Sequence, residues 1–288
     1  MPRTGLLSKA PSPFLVLGAI ASVQFASAIA DTQFHKVGAG GAALLRLGSA
    51  AILLMAILRP KLRGRSRQEW LPAIGLGVAI GAMNVSFYHA IARIPLGVAV
   101  TIEFIGPLAV GIAGSRRPRD VVWVLLAVGG ILSLAHGSAH HLNLLGVIFA
   151  AIAGCMWAGY ILLQSRLGKV FIDASGLALA TMVAALVALP DGVIEGGTRL
   201  LVPSTLLLGV AIGVLGTIVP STFELEALRR IKPSVFGILM SLEPAMAALA
   251  GLIVLSQHLS ARELIGIVLV VVASLGTALS SPTPVIDP

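Results

Sequence analysis

The sequence predicts an all-α protein that crosses a membrane about ten times and is built as two inverted five-helix repeats. Two observations predict the membrane location: 57% of the residues are hydrophobic and 11% are charged, and the mean hydropathy is +0.99. Soluble domains carry about 25% charged residues. A third observation predicts the repeat, because one stretch with a charge and a proline recurs 137 residues later.

Ten apolar runs, separated by proline, glycine or charge, mark the predicted spans. In chain order they cover residues 13–31, 38–58, 70–92, 95–115, 120–137, 143–164, 174–190, 203–227, 233–255 and 261–280. Each is close to the roughly 20 residues that cross a bilayer. A cleaved signal peptide is the competing interpretation of the first run. We reject it because nine apolar runs follow, and the second half would lose its counterpart.

The lysines and arginines predict the orientation of the chain. With a cytoplasmic N-terminus, 15 of the 20 fall on the inner side, as the positive-inside rule requires. These are Arg3, Lys9, Arg59, Lys61, Arg63, Arg65, Arg67, Arg116, Arg117, Arg119, Arg166, Lys169, Arg229, Arg230 and Lys232. Both termini are therefore expected in the cytoplasm. The net charge of +8 is explained by these loops, so it does not indicate a nucleic-acid partner.

The repeat is clearest in residues 93–114 and 230–251. Both stretches begin with Arg-Ile, and Pro107 of the first corresponds to Pro244 of the second. The predicted units are residues 1–137 and 138–288. Because each contains five spans, an odd number, the second is inserted upside down relative to the first. Secondary transporters use this plan and bind their substrate near the midplane between the halves.

Several motifs carry a resemblance to a known family. They are IPLGVAV at 94–100, EFIGPLAV at 103–110, SRRP at 115–118, CMWAGYIL at 155–162 and MSLEPA at 240–245. Together with the ten-span duplication, they resemble the EamA-type branch of the drug/metabolite transporter superfamily, and within it the threonine/homoserine exporters. The resemblance implies a bacterial inner-membrane exporter with a central cavity and a broad range of amino-acid substrates, aromatic ones included. It does not choose one amino acid.

Two acids lie well inside predicted spans, Glu103 and Glu243. A charged residue at the centre of a membrane helix costs about 2.5 to 3.5 kcal/mol, so it normally faces protein or water. Either carboxylate could accept a substrate ammonium or exchange a proton. Alternatively, each could cap a helix broken at Pro107 or Pro244, or bond to a neighbouring span.

Other polar and aromatic side chains are predicted to line the cavity. Residues three or four apart share a helix face, which groups the third-span pair and the sixth-span pair. The candidates are Gln24, Asn84, Tyr88, Trp157, Tyr160 and Ser241. Each could equally be a contact between helices. Arg46 could bind a substrate carboxylate, but it is left off this set because its side chain could snorkel to the surface. His89 is interpreted as structural, with a proton relay as the alternative.

Competing functions are an exporter of drugs or other metabolites, a membrane enzyme and a channel. The sequence has no HExxH or GxSxG motif, which argues against an enzyme. Cys155 is the only cysteine, so we expect no disulfide or thiolate cluster, and no cofactor or metal is expected. The expected partners are the amino-acid substrate and lipid, with protons as a candidate coupling ion. A monomer is expected because each chain can form its own cavity.

Overall fold

The computed structural model describes residues 11–60, 66–113, 120–137, 143–171, 175–228, 230–231 and 233–280. These residues are almost entirely helical and contain no strand. The α-helices are α1 (Ser12–Asp31), α2 (Phe34–Leu58), α3 (Arg67–Ile91), α4 (Leu96–Glu103), α5 (Ile105–Ala113), α6 (Asp120–Gly137), α7 (Leu144–Val170), α8 (Ser175–Gly196), α9 (Pro203–Gly213), α10 (Val219–Leu228), α11 (Pro233–Met240), α12 (Glu243–Leu255) and α13 (Ala261–Ser280). A 3₁₀ helix covers Gly197–Leu201, and a π-helical turn covers Val214–Ile218.

Some predictions fall on residues that lie outside the described part of the chain. They are the SRRP motif at 115–118 and most of the basic residues used for the orientation: Arg3, Lys9, Lys61, Arg63, Arg65, Arg116, Arg117, Arg119, Arg229 and Lys232. The predicted orientation therefore stays a prediction.

The all-helical class and the membrane location agree with the structure. In the described residues, seven helical stretches are long and apolar enough to cross a membrane. Large apolar side chains are exposed on several helices, including Ile52, Leu125, Ile194 and Val268. An apolar surface this extensive is typical of a protein surrounded by lipid.

Every predicted run contains a helix, although two helices extend well past their predicted C-terminal ends. α7 continues to Val170 and α8 to Gly196, six residues beyond the predicted ends. The expectation that α8 ends at Pro190 is wrong. Proline removes one backbone donor, and membrane helices tolerate this where neighbouring groups satisfy the freed carbonyl. The extension matters because it carries two acids, Asp191 and Glu195, into the bundle.

Two helices are broken at corresponding places. α4 and α5 are separated by Phe104, and α11 and α12 are separated by residues 241–242. Pro107 follows the first break and Pro244 the second. Because proline has no N–H, it cannot donate to the carbonyl four residues earlier, which belongs to Glu103 in the first case. Each break therefore lies where a proline interrupts the helical hydrogen bonds.

Glycine allows the helices to approach closely, as is usual inside membranes. The most extensive pairings join α2 to α8, α3 to both α7 and α8, and α6 to α13. A Cβ atom on Gly77 would lie 2.5 Å from the carbonyl oxygen of Ala180, and one on Gly106 would lie 1.9 Å from that of Gly154. The α3–α8 and α5–α7 contacts therefore place backbone directly against backbone.

Candidate functional site

A cavity of about 80 Å³ lies where α1, α2, α3, α4, α7 and α12 meet. It is lined by residues of both halves of the chain and is large enough for several water molecules. Its walls combine both acids predicted from the sequence with an arginine, two amides and an aromatic cluster. They are formed by Val23, Gln24, Arg46, Met83, Asn84, Phe87, Glu103, Trp157 and Glu243.

Gln24 and Glu243 join α1 to the break before α12. The amide Nε2 of Gln24 donates to Oε1 of Glu243 at 3.1 Å, and both side chains are buried. The remaining oxygens, Gln24 Oε1 and Glu243 Oε2, are buried and have no hydrogen-bond partner among the described residues. A buried acceptor without a donor costs about 1 to 3 kcal/mol. These two atoms therefore mark a position where a donor from water or a ligand would be stabilised.

Glu103 and Trp157 form the opposite wall. Glu103 is the last residue of α4, directly before the break, and it is buried. The next residue, Phe104, contacts Trp157 edge to face, with ring centroids 5.4 Å apart. The backbone contact of Gly106 with Gly154 holds α5 against α7, one turn before Trp157. The break thus places a carboxylate and an indole side by side in the cavity.

Asn84 lines the cavity from the middle of α3. Its Nδ2 donates to the carbonyl oxygen of Ile80, one turn earlier, at 2.9 Å. This bond fixes the side chain along its own helix and uses one of its two donors. Asn84 therefore contributes a rigid polar surface to the wall.

Three of the predicted residues lie outside the cavity walls. Tyr88 is completely buried between Phe34 and Phe87, and its hydroxyl has no hydrogen-bond partner among the described residues. Tyr160 packs in an apolar cluster of α3, α7 and α8. Ser241 bonds to Ser274 of α13 at 2.8 Å and to the carbonyl oxygen of Gly237 at 3.0 Å. The geometry of Ser241 agrees with the alternative interpretation from the sequence, which is a contact between helices.

Arg46 is a charged cavity residue that the sequence analysis left off the predicted site. It is buried rather than snorkelled, and its Nη2 donates to the carbonyl oxygen of Gly216 at 2.5 Å. Its guanidinium also lies 5.9 Å from the centre of the Tyr88 ring, a cation–π distance. The position of Arg46 in the sequence indicated a buried role, because it lies at the middle of α2, at the depth where a charge requires a buried partner.

A second polar group, which we call the His89 cluster, consists of His89, Arg93, Asp191 and Glu195 where α3 and α8 end. His89 Nε2 is 2.9 Å from Asp191 Oδ2, and Arg93 Nη1 is 3.2 Å from His89 Nδ1. The backbone N–H of Gly40 donates to Glu195 at 2.7 Å. The cluster joins α3 to α8 and α8 to α2. The cluster faces the kink at Gly38, where the positive φ of 73° favours glycine. A Cβ atom at this position would also collide with the side chain of Glu195.

The ligand atoms of His89, Asp191 and Glu195 lie within 4.8 Å of one another, which is close enough for a metal ion. The hydrogen bonds favour another arrangement. Arg93 Nη1 donates to the carbonyl oxygen of His89 at 2.7 Å and lies beside Nδ1 of the same residue. An arginine can only donate, so this position suits the neutral tautomer in which Nδ1 accepts and the ring proton is on Nε2, facing Asp191. That proton occupies the position a metal would need. The chemistry therefore favours a structural connection between helices.

Comparisons with known proteins place these features in a family. Residues 144–279 match the EamA-like transporter family. The chain is 39% identical to the threonine/homoserine exporter RhtA of Escherichia coli K12 over 92% of this chain and 90% of that protein. It is also 39% identical to the RhtA exporter of Salmonella typhimurium LT2, over 93% and 92% of the two chains. A solved crystal structure that is 19% identical superimposes with a TM-score of 0.61 over 93% of this chain and 97% of its own, which shows a shared fold.

The match to the two exporters extends over 92% and 93% of the chain. It agrees with the multi-pass membrane architecture and with a small-molecule substrate. The chain belongs to the EamA-like transporters of the drug/metabolite transporter superfamily, as a relative of the RhtA exporters.

Proposed function

We propose that the chain exports threonine, homoserine and related amino acids, aromatic ones included, across the bacterial inner membrane through the cavity between its two halves. The observation that carries this proposal is the wall formed by Gln24, Glu103 and Glu243. Two carboxylates and an amide oxygen present acceptors to one small volume, and an α-ammonium group offers three donors. The names of the RhtA relatives support the substrate class.

The proposed architecture is ten spans in two inverted repeats, residues 1–137 and 138–288. The positions of the helix breaks support it, because Phe104 and Ser241 are separated by the same 137 residues as Pro107 and Pro244. The α4–α5 pair would then be one span, as would α9 with the π turn and α10, and α11 with α12.

Helix packing supports the same architecture. Under the repeat, α1 corresponds to α7, and α3 to the α9–α10 unit. α1 packs on α10, and its counterpart α7 packs on α3. The remaining counterpart spans pack on each other: α2 on α8, the α4–α5 span on the α11–α12 span through α4 and α12, and α6 on α13. This is the contact pattern expected of two units related by a two-fold axis.

Alternating access completes the proposed mechanism, with the His89 cluster as one gate. With cytoplasmic termini, this end of the bundle faces outward. Its hydrogen bonds join α2, α3 and α8, so they must break before the cavity can open on that side. Glu103 and Glu243 could also carry a proton in exchange, and one chain suffices to form the site.

Transport by purified protein in proteoliposomes tests this function. We expect saturable counterflow of threonine and homoserine, with phenylalanine as a weaker substrate and with no flux of a cationic drug or a nucleobase. Counterflow marks a carrier, whereas a current linear in voltage would mark a channel. Flux of the drug without flux of any amino acid would contradict the proposal.

A further inference from the structure

The wall of the cavity contains a buried cation, the guanidinium of Arg46. It is 8% exposed, and it lines the cavity with Glu103 and Glu243. Burying a cation is costly unless it is paired and hydrogen-bonded. The cavity therefore holds both signs of charge, negative on the carboxylates and positive on the guanidinium. A zwitterion is the small molecule whose charges match this arrangement.

The π-helical turn at Val214–Ile218 fixes one edge of the guanidinium. Nη2 donates to the carbonyl oxygen of Gly216 at 2.5 Å, and Nε is 3.4 Å from Oγ1 of Thr217. Ser22 of α1 donates to the neighbouring carbonyl oxygen of Leu215 at 2.6 Å. π turns leave carbonyls free for such bonds and often occur at functional sites. The turn thus holds Arg46 by acceptors on one edge.

The other edge of the guanidinium retains donors. Guanidinium has five N–H groups, and the bonds to Gly216 and Thr217 use two of them. In the described part of the chain, Nη1 makes no hydrogen bond. A carboxylate is the group that best matches the remaining fork, because Arg–carboxylate pairs form two parallel hydrogen bonds. The α-carboxylate of the substrate fits this position, while its ammonium lies toward the acids.

We propose that Arg46 binds the α-carboxylate of the substrate and makes the cavity selective for α-amino acids over amines and amides that carry the ammonium alone. This inference rests on the proposed function, and it adds the basis of selectivity. The π turn positions Arg46, and Thr217 contributes the weaker contact. Without Arg46, the acids of the wall would accept any small cation of the right size.

The test compares L-threonine with L-threonine amide, which retains the ammonium and the side chain but has no carboxylate. Affinities are measured as inhibition of radiolabelled threonine counterflow in proteoliposomes. Wild-type protein is expected to prefer threonine by about tenfold or more, the effect of one charge-assisted pair. R46Q is expected to bind the two compounds within about twofold of each other. R46K retains the charge but not the fork, so an intermediate preference is expected.

The matched control is R199Q, which removes an arginine that donates to the carbonyl oxygen of Lys36 at 3.1 Å, away from the cavity. Its preference for threonine should equal that of the wild type. An unchanged preference in R46Q, or equal weakening of both compounds, would overturn the inference. If R46Q does not fold, as judged by gel filtration, R46K is used in its place. An unchanged preference in R46K, or equal weakening of both compounds, would then overturn the inference. Failure of the wild type to transport any amino acid would instead contradict the proposed function.

Discussion

At the scale of single residues, the site depends on polar atoms that are buried and only partly satisfied. Glu243 uses one carboxylate oxygen to accept from Gln24 and leaves the other without a donor. In an apolar surrounding such an atom is costly, and proteins retain it where a ligand or water supplies the missing hydrogen bond. We therefore expect a water molecule or a ligand in the cavity to stabilise the protein.

Replacing Glu243 with glutamine tests the role of the charge. The amide oxygen can still accept from Gln24, so the fold should be retained. Loss of the carboxylate removes the negative charge that pairs with the ammonium, and we expect threonine affinity to fall at least about tenfold. Saturation of threonine counterflow measures it. Glu226→Gln, which removes the partner of Arg230 at a helix end, is the control. An affinity equal to that of the wild type would remove Glu243 from the site.

Ser241 is expected to act in stability instead. A double-mutant cycle of Ser241→Ala and Ser274→Ala should give a coupling of about 0.6 kcal/mol, the average for hydrogen bonds between membrane helices. Thermal unfolding of the purified protein in detergent measures the coupling. Threonine affinity should not change in the folded variants. A large loss of affinity in Ser241→Ala at unchanged stability would assign Ser241 to the substrate instead.

The sequence identifies buried polar residues well, but not the direction each one faces. Glu103 and Glu243 could be selected because a charge in an apolar run needs a reason, and Arg46 satisfies the same criterion. Tyr88 and Asn84 share a helix face by spacing, yet only Asn84 reaches the cavity wall. Spacing fixes which residues are neighbours on a helix, whereas the rotation of the helix depends on packing against other helices. That rotation cannot be obtained from one sequence.

At the scale of helices, the two proline-associated breaks are the features that build the site. At the first break Phe104 keeps a helical backbone, with φ of −65° and ψ of −13°, so the interruption is local. Glu103 lines the cavity there, and the neighbouring Phe104 contacts Trp157. The position of both prolines was visible in the sequence, and so was the chance of a break. The π turn beside Arg46 was not, because no residue type specifies one.

Gly106 provides a test at this scale. A Cβ at Gly106 would lie 1.9 Å from the carbonyl oxygen of Gly154, so Gly106→Ala must separate α5 from α7. We expect a loss of stability of about 1 to 3 kcal/mol, as for other overpacked sites, together with reduced transport. The control is Gly129→Ala, because a Cβ there would meet nothing within 4 Å. Thermal unfolding compares the two variants, and equal stability would contradict the close backbone contact.

At the scale of the whole molecule, the packing of helices from one half on helices of the other relates the structure to the proposed mechanism. Each half contributes residues to one cavity, and helices of one half pack on helices of the other. Under the proposed alternating access, the two halves would rock about the cavity without being separated. The proposed repeat rests on a coincidence of charge and proline in the sequence. The pairing of helices between the halves could not be predicted, because contacts between distant residues leave no local pattern.

The His89 cluster predicts how one gate responds to mutation. Asp191→Asn removes the charge that faces His89 and should weaken the connection of α3 to α8. We expect the cavity to become more accessible from the outer face. Asp31→Asn, at the end of α1 and outside the cluster, is the control. Labelling of an introduced cavity cysteine from the outer face measures the effect, and equal labelling in both variants would contradict the assignment of this cluster as a gate.

The central claim is that one chamber between the halves opens to each side of the membrane in turn and binds an amino acid. Its most direct test is the labelling of Asn84→Cys, in a Cys155→Ser background, by an impermeant thiol reagent applied to intact cells and to inverted vesicles. We predict labelling from both faces and protection by threonine on each. Labelling from one face only, or labelling that threonine does not reduce, would contradict the claim.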